Sequence, residues 1–168
     1  MLFVELLSRA HDREHFDCGI EALNAFLRQT ARQHQEKGIS RTFVLVEHGG
    51  AEPTPILGFF TLAATEGFTA SLPPEIAKRF PTRIPAIILA RLAVDKSRQG
   101  RGLGAALVAE ALTRVASIAE QLGVAGLFVD AKDEGAAAFY RKYGFVPLVS
   151  DPLRLFLPLA TIRTLTAQ

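Results

Sequence analysis

One segment constrains this chain more than any other: residues 90–112, ARLAVDKSRQGRGLGAALVAEAL. An apolar run ends at Val94 and reads as a buried strand. The loop that follows carries Gly100, Gly102 and Gly104, and a helical pattern opens directly after it. Glycines permit positive φ and let the backbone approach a ligand closely. Successive N–H groups at a helix start, at the positive end of its dipole, suit a pyrophosphate. Arg98 and Arg101 add charge-assisted contacts to such an anion. On the glycines alone, an unliganded strand-to-helix turn fits as well. A dinucleotide-binding fingerprint fits poorly, because the glycines fall as G-x-G-x-G and lie too late for a first βαβ unit.

The 168 residues have the length of one domain, 1–168, with a core that needs no disulfide or metal. A hydrophobic share of 49% against 21% charged excludes a disordered chain. The single Cys18 excludes an internal disulfide and agrees with a reducing compartment. Residues 1–16 lack a basic n-region and a small-residue cleavage site, so they do not read as a signal peptide. No apolar run reaches the ~18 residues of a membrane helix. The expected location is therefore cytoplasmic. His11, His15, His34 and His48 are scattered and do not form metal-ligand spacing with Cys18, so no metal site is expected. A net charge of +2 steers weakly toward nucleic acid, which leaves any RNA contact to local clusters. One cluster is Arg28, Arg32, Lys37 and Arg41; the other is Lys78, Arg79 and Arg83. Each also reads as an ordinary solvated face.

Strand patterns cover 1–7, 42–47, 56–65, 87–94, 126–131, 145–149 and 153–157. Helical patterns cover 20–37, 71–79, 103–122 and 134–143, with Gly38, Gly123 and Gly144 as stops. Pro81 and Pro85 force an extended segment between two of these elements. Alternating elements after several consecutive strands predict an α/β chain, a mixed sheet flanked by helices.

Gln99, Gly102 and Gly104 match a Q/R-x-x-G-x-G/A motif, and Ala136, Phe139, Tyr140, Gly144 and Phe145 match A-x-x-F-Y-x-x-x-G-F. On these residues the chain resembles the GNAT superfamily of N-acetyltransferases. The resemblance implies the GNAT fold, a splayed, mixed, mostly antiparallel sheet flanked by helices. Acetyl-CoA would lie between the strand ending near Val94 and the strand near Val129. The backbone of Leu92, Ala93 and Val94 would hold the pantetheine and the thioester carbonyl. Amides of Gln99, Gly100, Arg101, Gly102, Leu103 and Gly104 would hold the pyrophosphate. Tyr140 matches the family's general acid, and a phenol can protonate a departing thiolate. Its alternative is a packing role, which Tyr143 fits better. A backbone N–H near Ala93 or Val94 is the implied oxyanion donor. Glu66, Asp95 and Glu134 are the available bases, and each reads more readily as structural.

The absence of a dedicated base carries information. A lysine amine, with a pKa of about 10.4, is almost wholly protonated near neutrality, whereas an α-amine at about 7.7–8 is substantially neutral. Esterification of its carboxyl lowers it further, and an aminoacyl-tRNA presents such an amine. The chain also resembles the toxins of TacA–TacT-type toxin–antitoxin pairs, which acetylate aminoacyl-tRNA. That resemblance rests on Phe16-Asp17-Cys18-Gly19, Leu23-Asn24-Ala25-Phe26-Leu27 with Ala31 and Gly38, and Gly58-Phe59-Phe60-Thr61-Leu62-Ala63. It continues through Arg83-Ile84-Pro85, Arg91-Leu92-Ala93-Val94-Asp95 and Leu155-Phe156-Leu157-Pro158-Leu159. Two departures stand out: Phe59 and Phe60 replace frequent tyrosines, removing a hydroxyl that could meet substrate, and Ala90 replaces a common glycine.

The resemblance implies basic surface for tRNA: Lys78, Arg79 and Arg83 first, then Lys37 and Arg41. Arg91 interrupts an otherwise buried strand and has two readings, an RNA contact or a buried ion pair with Asp95 or Glu66. Asp12, Phe16, Cys18 and Leu23 read as a structural turn and helix start. The implied partners are a ribbon-helix-helix antitoxin, whose tail wraps the toxin, and a second copy forming a homodimer; no membrane is involved. Two other functions stay open: an N-acetyltransferase acting on a small amine or a protein N-terminus, and a non-enzymatic acetyl-CoA-binding regulator.

Overall fold

The computed structural model describes residues 1–167. The chain divides into two compact units, Met1–Ala63 with Ala90–Ala111, and Ala64–Leu89 with Leu112 to the last described residue. Among the described residues, the main sheet has seven strands in the order β1-β3-β5-β6-β7-β9-β8. These are β1 (Leu2–Leu6), β3 (Arg41–Glu47), β5 (Gly58–Phe68), β6 (Arg83–Val94), β7 (Gly126–Asp130), β8 (Val146–Pro147) and β9 (Arg154–Pro158). A short parallel ladder joins β2 (His11–Asp12) to β4 (Thr54–Pro55). The β6–β7 ladder is parallel, whereas β1–β3, β3–β5, β7–β9 and β8–β9 are antiparallel. The expected α/β fold with a mixed, mostly antiparallel sheet is the observed one.

In the first unit a helix runs through α1 (Glu21–Ala25), a π-helical turn (Phe26–Thr30) and α2 (Ala31–Glu36). The apolar residues recur at helical spacing, and the wider turn sits where Phe26 and Leu27 enter the core. The helix ends as a Schellman motif, with Ile39 N–H donating to the His34 carbonyl at 2.8 Å and Gly38 N–H to that of Gln35 at 3.2 Å. The core here gathers Phe16, Phe26, Leu27, Val44, Val46, Ile56, Phe59 and Ala93. Phe59 and Phe60 are both fully buried, Phe59 edge-on to Phe16 and Phe60 stacked on Phe43. The two phenylalanines at the positions expected to carry tyrosine are thus core residues in this chain.

In the second unit the core gathers Leu72, Ile84, Ala86, Phe128, Leu148 and Phe156. The helix expected over 71–79 shortens to a 3-10 turn (Thr69–Ser71) and α3 (Pro74–Ala77), because Pro73-Pro74 exclude the preceding helical turns. The strand expected from residue 87 begins at Arg83, since Pro85 is tolerated there in extended backbone. The helix α4 (Leu103–Ile118) stops before the expected end at 122 and continues as turns. Asp133 caps α5 (Glu134–Arg141), its side chain accepting from Ala136 N–H at 2.8 Å. The C-terminal α6 (Leu159–Thr166) was not expected, because its threonines and isoleucine are weak helix formers; its buried Ile162 supplies the anchor.

Candidate active site

The loop after β6 is shaped by its glycines. Gly100 and Gly102 both sit at φ 79°, a left-handed conformation that a side chain strains. Two such residues turn the chain abruptly into α4, and Ala106 N–H is the first to donate back, to the Gly102 carbonyl at 3.1 Å. Among the described residues, no amide from Gln99 to Ala105 has a protein acceptor. Gln99, Gly100, Arg101, Gly102 and Ala105 are exposed, while Leu103 and Gly104 are half-buried. Orphan N–H groups at the positive end of a sixteen-residue helix form an anion cradle. The expected pyrophosphate residues are therefore together, with their donors unspent.

Gln99 contributes its amide alone to that cradle. Its side chain turns inward, Nε2 donating to the Val94 carbonyl at 2.9 Å and to the Cys18 carbonyl at 3.1 Å. Leu92, Ala93 and Val94 end β6. The parallel ladder to β7 stops at Leu89 opposite Val129, so it does not use their backbone groups.

Tyr140 lies on α5 in the second unit and is 7% exposed. Its ring packs edge-on against Phe139 at 5.2 Å and Phe145 at 5.5 Å. Its hydroxyl makes no hydrogen bond among the described residues. Burial, helped by nearby Tyr143, pushes its pKa up to about 12, and burial also raises Tyr143. The phenol thus keeps its proton across the working pH range. A raised folded-state pKa favours folding fully below pH ~10, where an unfolded tyrosine titrates. That contribution is lost as pH rises toward about 12. The chain has two tyrosines and no tryptophan, so phenolate absorbance reports these two groups. Both should ionise later than free tyrosine, Tyr140 last; a full equivalent of phenolate by pH ~10 contradicts this environment for Tyr140.

The candidate bases are all engaged. Glu134 holds Arg141 at 2.6 Å, Glu66 faces Arg83 at 3.9 Å, and Asp95 accepts from Ser97 and from Asp17 N–H.

The ion pair expected as one alternative for Arg91 is absent: neither Asp95 nor Glu66 pairs with it. Its guanidinium lies 3.7 Å over the centroid of Phe26, whose ring stacks on Phe59 and meets His34 edge-on. Burial lowers its pKa, but a guanidinium remains charged. A half-buried cation with an aromatic floor and no carboxylate partner among the described residues can receive an anion. Arg79, Lys37 and Arg41 are exposed and likewise lack a carboxylate partner among the described residues. Lys78 pairs with Glu75 at 2.8 Å, and Arg83 lies 5.4 Å over the exposed Phe68 ring. Arg91, Lys37 and Arg41 belong to the first unit; Lys78, Arg79, Arg83 and Tyr140 belong to the second.

Residues 38–147 match the family model described as an acetyltransferase (GNAT) domain. A protein of Sinorhizobium fredii named probable toxin TacT is 35% identical, covering 92% of this chain and 89% of that protein. A protein of Mycobacterium tuberculosis named tRNA-acetylating toxin is 35% identical, over 95% of this chain and 93% of its own length. Among solved structures, a tyrosine-to-phenylalanine mutant of KacT superposes with a TM-score of 0.91 at 36% identity, covering 98% of both chains. AtaT in complex with acetyl-methionyl-tRNAfMet gives 0.89 at 40% identity, covering 98% of this chain and 99% of that one.

Proposed function

This chain belongs to the GNAT acetyltransferase family, and on that premise we propose that it moves the acetyl group of acetyl-CoA onto the α-amine of an aminoacyl-tRNA. The observation that carries the acetyl-CoA half is the run of unspent amides from Gln99 to Ala105. The acceptor half is supported by the tRNA-acetylating relative, by the tRNA complex of AtaT, and by Arg91 on its aromatic floor.

Acetyl-CoA supplies the thioester carbon that a neutral amine attacks, with coenzyme A leaving as thiolate. Gln99, Gly100, Arg101, Gly102, Leu103 and Gly104 hold the pyrophosphate through their amides. The backbone of Leu92, Ala93 and Val94 holds the pantetheine arm and donates to the developing oxyanion. Tyr140 gives its hydroxyl proton to the leaving sulfur and recovers one from the acetylated nitrogen, so the residue ends unchanged. With its pKa up at about 12, the phenol is a reluctant acid in isolation, and this return of a proton offsets the cost of ionising it. The α-amine needs no strong base, in keeping with the engagement of Glu66, Asp95 and Glu134.

Arg91 meets the phosphate or terminal sugar of the tRNA, with Lys37, Arg41, Lys78, Arg79 and Arg83 on more distant phosphates. Arg91→Met keeps the apolar stem but removes the charge. It should raise the KM for charged tRNA about tenfold or more while the KM for acetyl-CoA holds. Neutralising Lys78, Arg79 and Arg83 together should flatten the salt dependence of tRNA binding by about one unit of slope for each phosphate left without its cation. Unchanged slopes assign those three to plain surface.

The implied partners are an antitoxin with a ribbon-helix-helix DNA-binding part and a second copy of this chain. Supporting the first are solved structures of AtaT with the C-terminus of its antitoxin AtaR and of the AtaT–AtaR complex on DNA. No helix among the described residues is long and apolar enough to cross a membrane, and cytoplasmic action follows from a tRNA substrate. The deciding experiment is transfer of labelled acetyl from acetyl-CoA to total aminoacyl-tRNA, with deacylated tRNA as control. Label on charged tRNA alone supports the reading. Label only on small amines or protein N-termini replaces the acceptor, and binding of acetyl-CoA without turnover makes the chain a regulator.

A further inference from the structure

The stem of the glycine loop is held from a distant part of the sequence. Asp17 N–H donates to Asp95 Oδ1 at 3.0 Å, and Lys96 N–H donates back to the Asp17 carbonyl at 2.8 Å. Lys96 Nζ lies 3.0 Å from Asp17 Oδ2. Asp17 Oδ1 accepts from Gly19 N–H at 2.8 Å and from Asn24 Nδ2 at 3.0 Å, while Asn24 Oδ1 accepts from Cys18 N–H at 2.9 Å. The segment 16–19 is thereby locked to the first helix. On the loop side, Asp95 Oδ2 takes both the N–H of Ser97 at 3.0 Å and its hydroxyl at 2.6 Å. Gln99 closes the staple by donating to the Cys18 and Val94 carbonyls.

We propose that Asp95, Gln99 and the segment Phe16-Asp17-Cys18-Gly19 are positioning residues that hold the coenzyme-binding loop in its receptive shape before acetyl-CoA arrives. A loop bearing two left-handed glycines has many conformations open to it. Tying down its first residue shifts that ordering cost from binding to folding. With the Gln99 side chain spent on the Cys18 and Val94 carbonyls, its own amide and each amide through Ala105 have no acceptor among the described residues. The inference rests on the acetyl-CoA reading of the loop, but the side chains of Asp17, Asp95 and Gln99 are engaged within the protein.

The geometry also says why position 95 is a carboxylate. Both of its oxygens face donors: the Asp17 amide on one side, the Ser97 amide and hydroxyl on the other. An asparagine offers one oxygen and one N–H, so one side would set donor against donor. The staple also stays charged across the working range. Lys96, Gly19 and Asn24 hold Asp17 down at about 2, and the hydrogen bonds from Ser97 and Asp17 keep Asp95 below its ordinary value against the cost of its burial.

The test compares wild type with Asp95→Asn, Gln99→Leu and Gln99→Arg by calorimetric binding of coenzyme A, steady-state kinetics and amide exchange. Asp95→Asn and Gln99→Leu should weaken coenzyme A binding and raise the acetyl-CoA KM about tenfold to a hundredfold. The kcat at saturating acetyl-CoA and the KM for charged tRNA should stay within about twofold. Amides 99–105 should exchange faster in these variants while those of β3 and β7 keep their protection. Gln99→Arg, which retains N–H donors for both carbonyls, should recover most of the binding. If Asp95→Asn does not fold, Gln99→Leu and Ser97→Ala, which removes one bond from Asp95, carry the same expectation with a smaller effect. Coenzyme A binding unchanged in folded Gln99→Leu overturns the staple. A fall in kcat with KM intact also overturns it, since that marks a role in the chemical step. Failure of wild type itself to bind coenzyme A overturns the acetyl-CoA reading instead.

Discussion

Replacing Tyr140 with phenylalanine should lower kcat by about 10²–10⁴-fold, the range of a lost general acid, while leaving coenzyme A binding and folding intact. The substitution removes one oxygen. The ring keeps its edge contacts with Phe139 and Phe145, so packing barely changes. The hydroxyl has no hydrogen-bond partner among the described residues, so its removal strands no donor or acceptor. Tyr140→Phe should therefore stay close to wild type in thermal stability. In cells the variant should permit growth under expression that arrests cells carrying wild type. A fully active Tyr140→Phe enzyme would sink the acid assignment and return the residue to packing. The second tyrosine supplies the control. Tyr143 is more exposed, and Tyr143→Phe should leave kcat within about twofold.

Adding a single methyl group at Gly126 should cost more stability than any other substitution named for this chain. A Cβ there falls on the carbonyl oxygen of Leu157 and within 2.7 Å of the Phe156 ring. The oxygen cannot yield, because Gly126 is paired with Pro158 in the β7–β9 ladder and Leu159 N–H donates to the Ala125 carbonyl at 2.9 Å. Nor can the ring, which is fully buried with its centroid 4.7 Å from that of Phe128. Gly126→Ala should therefore reach the upper end of the ~1–3 kcal/mol cost of overpacking. For a chain of this size that lowers Tm by roughly 6–12 °C. Gly123→Ala is the matched control: a Cβ there meets nothing within 4 Å, and its Tm should shift little. Equal Tm values for the two variants would contradict the β7–β9 register.

The two positions differ in how much of each could be read from the chain. Tyr140 was legible because its motif is local: Ala136, Phe139, Tyr140 and Gly144 lie on one short helix and its stop. Gly126 was legible only as the start of a strand; nothing in its neighbours announces that Phe156 and Leu157 press on it.

By itself, the sequence determined the α/β class, the glycine loop opening α4, the helix over the twenties and thirties, and the helix that carries Tyr140. Each depends on spacing within a few residues, because helical and strand periodicity, caps and positive φ are properties of short segments. Only the tertiary structure decided which way Gln99 turns, that Arg91 rests on Phe26 in place of a carboxylate, and that Phe59 and Phe60 are core. It alone joined Asp17 to Asp95 across 78 positions. Hydrogen bonds and ring contacts are set by where side chains meet in space, and for residues so far apart that meeting is a consequence of the whole fold.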